Sequence, residues 1–318
     1  MNIRRLLTIG LFLITSGLPA GNLIAENLEK EEIELPYRIL ENINKNQVIL
    51  LGSAHNHVEG VSSIANSIRN LIASAAAIAF EALPDAPSQD PNFPILQSYI
   101  DSERYKYLES LAQADRDSRL IWGVLTRMPL PPEIAASMFF LRCHRVNDQQ
   151  FENFKNRKRP SLDKLILDSL PDTSKSIALE NISELNDFRN ENINLASAKM
   201  LEGAIKASLS KEICTKLKLF DREGDNLIIK RRIADLYDYH LTIECTLYAC
   251  SGWLNGVAFS KGRNQSLAKK IARHAQEHGR IAAVVGALHL DRRAGLIEEL
   301  NASGFLEVST NIVDDDPP

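Results

Sequence analysis

The chain has 318 residues, of which 44% are hydrophobic and 25% are charged, as in an ordinary globular protein of one or two domains. Its 37 lysines and arginines and 41 aspartates and glutamates give a formal net charge of -4, which argues against a protein that neutralises many nucleic-acid phosphates. The same composition excludes collagen, a low-complexity disordered chain and a protein with several membrane spans.

The N-terminus has the pattern of a secretory signal peptide. Arg4 and Arg5 precede an uncharged apolar run over 6–20, and small residues follow it. The run is shorter than the roughly 20 apolar residues that a membrane-spanning helix needs. We therefore expect residues 1–25 to be removed on export to a bacterial periplasm or to the outside of the cell, leaving 26–318 as a single domain. An uncleaved signal anchor is the alternative.

Two short apolar runs near opposite ends of the chain are predicted to be buried strands, and each is followed by the motif Gly-x-x-His. Continuous apolar runs of this length are typical of central strands in a parallel sheet. The two segments are Val48–Leu51 before Gly52 and His55, and Ile281–Val285 before Gly286 and His289.

The residues after the first motif complete a compact unit. Apolar residues at helical spacing over 61–72 predict a helix, and a strand over 76–80 ends at Glu81. This order of strand, loop, helix and strand is a βαβ unit. The segment from about 95 to 260 is mainly helical in pattern, with one short strand at Ser176–Glu180 that again ends in a carboxylate.

The C-terminal region repeats this arrangement. A helix over 267–275 runs into Gly279, a good helix stop, before the second strand and its histidine motif. A helical segment over 291–300 and a strand within 304–313 follow. We therefore predict an α/β fold with a mixed central sheet made of two related halves, flanked by helices, with a long helical insertion at about 95–260. The two strands that precede the histidines are expected to be close in this sheet.

After export, the four cysteines would be in an oxidising compartment, so one or two disulfides are expected. Cys245 and Cys250 are five residues apart in a helical segment, so a bridge between them would require a break in the helix. The sequence leaves all three connectivities open, and it contains no Cys-x-x-Cys pair typical of a zinc ribbon. The cysteines are Cys143, Cys214, Cys245 and Cys250.

His55, His289 and Glu81 are predicted to share one edge of the sheet. Each follows an apolar strand, and ligands of open α/β sheets bind beyond the carboxyl ends of the strands. Two histidines and a carboxylate are a competent ligand set for a divalent transition metal such as Mn²⁺, Co²⁺ or Zn²⁺. Gly52 and Gly286 would let the backbone turn and leave room for the bound cofactor. The alternative is that both histidines cap strands and bond to neighbouring carbonyl groups.

These motifs resemble those of the TraB/GumN/Tiki family. The resemblance rests on the paired Gly-x-x-His motifs, on Phe80 and Glu81 at a strand end, and on Arg263 and Asn264 before the last helix. It extends from about residue 48 to residue 308. Members often have a glutamate before the arginine, where this chain has glycine. The central segments Ser161-Leu162-Asp163 and Leu179-Glu180 are also similar to those of GumN-type members.

The resemblance implies a metal-dependent hydrolase, a peptidase as in the Tiki branch, with a fold similar to that of erythromycin esterases and of the haem-binding ChaN proteins. By position, His55 and His289 would belong to the metal or catalytic centre, and Glu81 would be a third ligand or a general base. Arg263 and Asn264 would line the cleft. The rival interpretations are a non-enzymatic haem- or metal-binding module similar to ChaN, and a scaffold that has lost its activity.

Two further charged residues suit hydrolysis. Glu180, if it does not bind the metal, can accept a proton from the attacking water, although a salt bridge at the strand end is the alternative. Arg263 can stabilise a developing oxyanion or hold a substrate carboxylate, or else be a surface residue at a helix start. We expect a peptide or small-molecule substrate, no nucleic-acid partner, and no membrane contact beyond the export signal.

The segment His274-Ala275-Gln276-Glu277-His278 matches the His-x-x-Glu-His pattern of inverted zinc peptidases. It stands at the end of a helix, directly before Gly279, and too few residues follow it to supply the rest of such a domain. We therefore expect this segment to lie away from the predicted metal centre.

Overall fold

The computed structural model describes residues 31–54, 58, 61–81, 83, 95–130, 132–140, 143, 161–170, 176–252, 254 and 259–313. Two predictions fall outside these ranges, namely the signal peptide over 1–25 and the position of His55.

Eight strands form in the described part of the chain, and six of them make one mixed sheet in the order β6-β5-β7-β3-β2-β8. Strands β6, β5, β7 and β3 run parallel, whereas β2 is antiparallel to both β3 and β8. β1 and β4 form a separate parallel pair. The strands are β1 (Glu31–Ile33), β2 (Tyr37–Glu41), β3 (Gln47–Ser53), β4 (Val61–Ile64), β5 (Ala77–Phe80), β6 (Ser176–Ala178), β7 (Arg280–Gly286) and β8 (Leu306–Thr310).

The two strands that precede the histidine motifs are direct neighbours, as predicted. Val48 of β3 pairs with Ile281 of β7, and the parallel register continues to Ser53 and Gly286. On its other side β7 pairs with β5. Both faces of these central strands are covered by helices, and this explains why their sequences read as continuous apolar runs instead of alternating ones.

The helices surround this sheet, and those of the predicted insertion make up most of the chain between β5 and β7. None of the described helices is both long enough and apolar enough to cross a membrane. They are α1 (Asn66–Ala73), α2 (Leu96–Tyr99), α3 (Ser102–Ala112), α4 (Arg116–Leu125), α5 (Pro132–Phe139), α6 (Leu162–Asp168), α7 (Ile182–Leu209), α8 (Lys211–Ile229), α9 (Ile233–Tyr248), α10 (Lys261–His278) and α11 (Leu296–Ala302).

Three buried clusters hold these layers together. One face of the sheet packs with α10 and α11, where Leu50 shares a cluster with Leu267. The other face packs with α1 and α6, where Ile49 shares a cluster with Ile68. The helices of the insertion have a core of their own, which includes Trp122. The predicted α/β fold with a helical insertion is therefore present.

The structure corrects the prediction of a helix over 61–72. Val61 and Ile64 belong to β4, and α1 begins only at Asn66. Spacing of three residues suits a helix, but here both residues are buried in a short strand that pairs with β1, where Ile64 lies opposite Ile33. Residue Ala65 is extended and separates the strand from the helix.

Strand β2 was not predicted, because a charged residue interrupts its apolar face. Arg38 and Leu40 are the inward-facing residues of this strand. Arg38 is tolerated there because its Nε donates to the carbonyl of Leu290 at 2.8 Å and its Nη1 donates to Glu307 at 2.6 Å. An arginine in the sequence is normally expected to be exposed. The partner that allows Arg38 to be buried lies about 250 residues away along the chain, so no local pattern indicates it.

All four cysteines are paired. Disulfides join Cys143 to Cys214 and Cys245 to Cys250. The second bridge has the helix break that the sequence required, because α9 ends at Tyr248 and both Ala249 and Cys250 adopt positive φ angles.

Candidate functional site

The carboxyl ends of β5, β6 and β7 bring three of the predicted site residues to one edge of the sheet. Glu81 directly follows β5, and its amide donates to a carbonyl of β7 at 2.9 Å. Glu180 follows β6, and its amide donates to the carbonyl of Glu81 at 2.9 Å. His289 lies in a 3₁₀ turn, Ala287–Leu290, directly after β7. β3 ends beside β7 at Ser53, two residues before His55.

Glu81 and His289 are close enough to act on the same ligand. Oε2 of Glu81 and Nε2 of His289 are 3.8 Å apart, and both side chains are largely buried. Gly286, which was predicted to leave room for a cofactor, donates its amide to the same Oε2 at 2.9 Å. The ring of Phe259 packs edge-on against His289, with centroids 4.9 Å apart. One ion with ligand bonds of about 2.0–2.2 Å can span two atoms at this separation.

Arg263 lies between the two carboxylates. From the first turn of α10, its Nε donates to Glu180 at 3.0 Å and its Nη2 donates to Glu180 at 2.7 Å. The same Nη2 makes a short contact with Oε1 of Glu81. A planar guanidinium suits such a fork. Glu81 therefore faces Arg263 with one oxygen, and Gly286 and His289 with the other. We call Glu81, Glu180, Arg263 and His289 the strand-end cluster.

Burial governs the charges in the strand-end cluster. It raises the pKa of Glu180 above the ordinary value, against the opposing hydrogen bonds and charge of Arg263. Burial alone would lower the pKa of Arg263, but the charge of Glu81 and the hydrogen bonds and charge of Glu180 outweigh it and raise this pKa. Arg263 is therefore always a cation. When both carboxylates are ionised, they outnumber the guanidinium, and the excess negative charge favours a second cation beside Glu81.

Asn264 has a supporting place next to this cluster. Its Nδ2 donates to the carbonyl oxygens of Phe259 at 3.1 Å and of Ala294 at 2.6 Å. These bonds tie the start of α10 to the segment before it and to the turns that follow His289. Asn264 was predicted to line the cleft, and its Nδ2 contacts orient the elements that carry Arg263 and His289.

The space next to Gly52 is filled by the protein itself. Gly52 belongs to β3 and not to a turn, and a Cβ on it would lie 2.7 Å from Cδ1 of Leu290 and 3.1 Å from Cα of Ala287. The missing side chain thus lets the turn that carries His289 pack directly on β3. Gly52 was predicted to leave room for a cofactor, and atoms of Leu290 and Ala287 lie where its side chain would be.

Replacing Gly52 by alanine is expected to lower the free energy of unfolding by about 1–3 kcal/mol, because backbone atoms at Ala287 would have to move. Chemical denaturation measures this change. Gly123→Ala in α4 is the matched control, since a Cβ there meets nothing within 4 Å and should stabilise the helix by up to about 1 kcal/mol. A Gly52→Ala protein as stable as the wild type would contradict the packing described here.

One buried pair beside the site was not predicted. The hydroxyl of Ser53 makes a short hydrogen bond to Oδ1 of Asp163, and both residues are buried. Asp163 lies in the first turn of α6. In the sequence, Ser53 is noticeable only as part of the first Gly-x-x-His motif. Asp163 lies 110 residues further along the chain, so no local pattern connects the two residues.

The His-x-x-Glu-His segment lies at the other end of α10 from the strand-end cluster. Arg263 and His278 are about four helical turns apart, which corresponds to roughly 22 Å. The segment therefore lies away from the proposed metal centre, as expected. Its own ligand atoms, from His274, Glu277 and His278, nevertheless lie within 4.8 Å of one another.

A family model described as TraB/PrgY/gumN matches residues 38–307, a range that holds both Gly-x-x-His motifs and every member of the strand-end cluster. No curated protein and no solved structure matches the chain.

Proposed function

The chain belongs to the TraB/PrgY/gumN family, and from this premise we propose that it is a metal-dependent hydrolase that acts on peptides. The observation that carries the proposal is the pair of ligand atoms at the ends of β5 and β7, Oε2 of Glu81 and Nε2 of His289, 3.8 Å apart. These atoms lie at the carboxyl ends of parallel strands, which is where open α/β sheets bind ligands.

Three residues would hold the metal, namely His55, Glu81 and His289. Imidazole and carboxylate ligands suit Mn²⁺, Co²⁺ or Zn²⁺, and the excess negative charge of the strand-end cluster favours a cation. A metal bound there would polarise a substrate carbonyl and lower the pKa of a bound water. The amide of Gly286 holds the Glu81 oxygen that faces His289.

The remaining residues position the site and manage protons. Glu180 is the proposed general base, because burial raises its pKa and a more basic carboxylate accepts a proton more readily. Arg263 acts mainly as a positioning residue, since it holds Glu81 and Glu180 at once. Asn264 fixes the start of α10, from which Arg263 projects.

Removal of metal is expected to abolish peptide hydrolysis. The purified mature protein would be incubated with a mixed fluorogenic peptide library before and after treatment with 1,10-phenanthroline, and then with added Mn²⁺, Co²⁺ or Zn²⁺. Activity should disappear with the chelator and return with at least one of these ions. Hydrolysis that survives complete removal of metal would refute the proposal.

The rival functions give different results in the same preparation. A haem- or metal-carrying module would show bound haem by absorbance, or bound metal by elemental analysis, without hydrolysis of any peptide. A scaffold that has lost activity would show neither hydrolysis nor metal at the strand-end cluster.

We further propose that the protein is exported, to a bacterial periplasm or out of the cell. The basic start and short apolar run of the N-terminus support export, and so does the pairing of all four cysteines, because disulfides persist in oxidising compartments. Mass spectrometry of the protein from its native host is expected to find an N-terminus near residue 26. A retained Met1 in the membrane fraction would instead indicate an uncleaved anchor.

A further inference from the structure

The last turns of α10 place two imidazoles and a carboxylate on one face of the helix. His274, Glu277 and His278 are spaced so that their side chains are neighbours on the helix surface, and their ligand atoms lie within 4.8 Å of one another. The two imidazole rings are nearly parallel, with centroids 6.2 Å apart. Nδ1 of His274 is 3.2 Å from Oε2 of Glu277.

These atoms need only a small adjustment to share an ion. Ligand bonds of about 2.0–2.2 Å require the ligand atoms to lie within about 4 Å of one another. Glu277 and His278 are exposed, so side-chain rotation can close the remaining gap without moving the backbone. His274 is more buried and already oriented, which reduces the entropy lost when an ion binds.

The helix itself favours a cation at this point. α10 ends at His278, and Gly279 follows with a positive φ angle. The carbonyl groups at a helix C-terminus carry a partial negative charge, which attracts cations within the last turn.

One neighbouring side chain opposes a metal. Nη2 of Arg273 is 3.2 Å from Nε2 of His274, and Nε of Arg273 is 3.7 Å from Oε1 of Glu277. The guanidinium of Arg273 is thus already paired with the carboxylate of Glu277, to which the metal ion would bind. Because Arg273 is exposed and its ion pair with Glu277 is a surface pair, it can be displaced at little cost.

We propose that His274, Glu277 and His278 form a second metal site, which binds one divalent transition metal ion, with Zn²⁺ the best match to two imidazoles and a carboxylate. This site is separate from the strand-end cluster and has no part in hydrolysis. Arg273 competes with the ion for Glu277 and His274.

Calorimetric titration of the full mature protein with Zn²⁺, free of any polyhistidine tag, tests the site. The double variant His274→Ala/His278→Ala should bind one equivalent of Zn²⁺ fewer than the wild type. Gln276→Ala, which changes an exposed residue of the same helical turn on another side, is the matched control and should bind as the wild type does. Zn²⁺ binding by the double variant that equals the wild type would overturn the proposal.

Arg273→Met provides an independent measurement in the opposite direction. Removal of a competing charge about 4 Å from the ligands should tighten Zn²⁺ binding at this site about tenfold, whereas a merely structural arginine would leave the affinity unchanged. Unchanged or weaker Zn²⁺ affinity in Arg273→Met would contradict the proposal that Arg273 competes with the ion. Both outcomes are independent of the proposed hydrolase. That proposal is tested by the loss of activity and of one metal equivalent in His289→Ala, and it does not depend on Zn²⁺ binding at the end of α10.

Discussion

Replacement of Arg263 by methionine is expected to lower the free energy of unfolding by about 3–5 kcal/mol, the cost of leaving buried charges without a partner. Arg263 is the shared hydrogen-bond donor of Glu81 and Glu180, and all three side chains are largely buried. Methionine keeps much of the side-chain volume and removes only the charge and the donors. Urea denaturation at neutral pH measures the difference from the wild type.

The pH dependence of the stability lost in Arg263→Met identifies the cause of the loss. In Arg263→Met, burial would raise the folded-state pKa of Glu180 without the opposing effect of the guanidinium, so the folded state would lose stability as the pH rises from the ordinary carboxyl pKa through that raised value. The deficit should therefore be small in acid, where both groups are protonated, and should grow toward neutral pH. Adding Glu81→Gln and Glu180→Gln to Arg263→Met should recover part of the stability at neutral pH. A deficit below about 1 kcal/mol at neutral pH would show that the carboxylates do not depend on Arg263.

His289→Ala is expected to reduce kcat/KM for peptide hydrolysis by at least about 100-fold, because loss of a group that only supports a metal ligand already costs up to about that much. The variant should also contain one equivalent of metal fewer by elemental analysis. His289 is buried, but the strands and helices around it are held by the apolar cluster of the sheet, so circular dichroism should show that the fold persists. His55→Ala should give the same pair of losses if it supplies the third ligand.

His289→Gln separates packing from ligation. Glutamine preserves more of the contact with Phe259 than alanine does, yet it lacks the imidazole nitrogen that faces Glu81. Both variants should therefore be inactive, while the glutamine variant should be the more stable. Full activity in either one would remove His289 from the catalytic centre.

The sequence allowed the central part of the sheet to be predicted because burial leaves a local signature. The continuous apolar runs of β3 and β7 identified both as buried strands, and the Gly-x-x-His motif that follows each of them led to the prediction that they are close in one sheet, where they pair directly. The placement of Glu81 and His289 at one edge followed from the rule that parallel strands end on the same side, and His55, predicted to join them, lies outside the described residues. The short strand β4 was misread because its two apolar residues fit helical spacing equally well.

The contacts within the site could not be predicted, since they depend on how α10 docks on the sheet. Arg263 was recognised at a helix start, but its carboxylate partners lie 182 and 83 residues away in sequence. Likewise nothing near Gly52 indicates that Leu290 fills the space beside it. Such contacts are set by the tertiary packing of elements that are predicted one at a time.

The pairing of β3 with β7 has a consequence for the order in which the chain can fold during synthesis. Val48 of β3 cannot pair until Ile281 of β7 has been synthesised. The helices of the insertion emerge earlier from the ribosome and have a buried core of their own. A nascent chain can therefore bury Trp122 and its neighbours while Glu81 still lacks both Arg263 and His289. Pairings this distant in sequence also slow folding, because loop closure must precede the contacts that reward it. The residues proposed for hydrolysis thus stay apart until the final strands have been made.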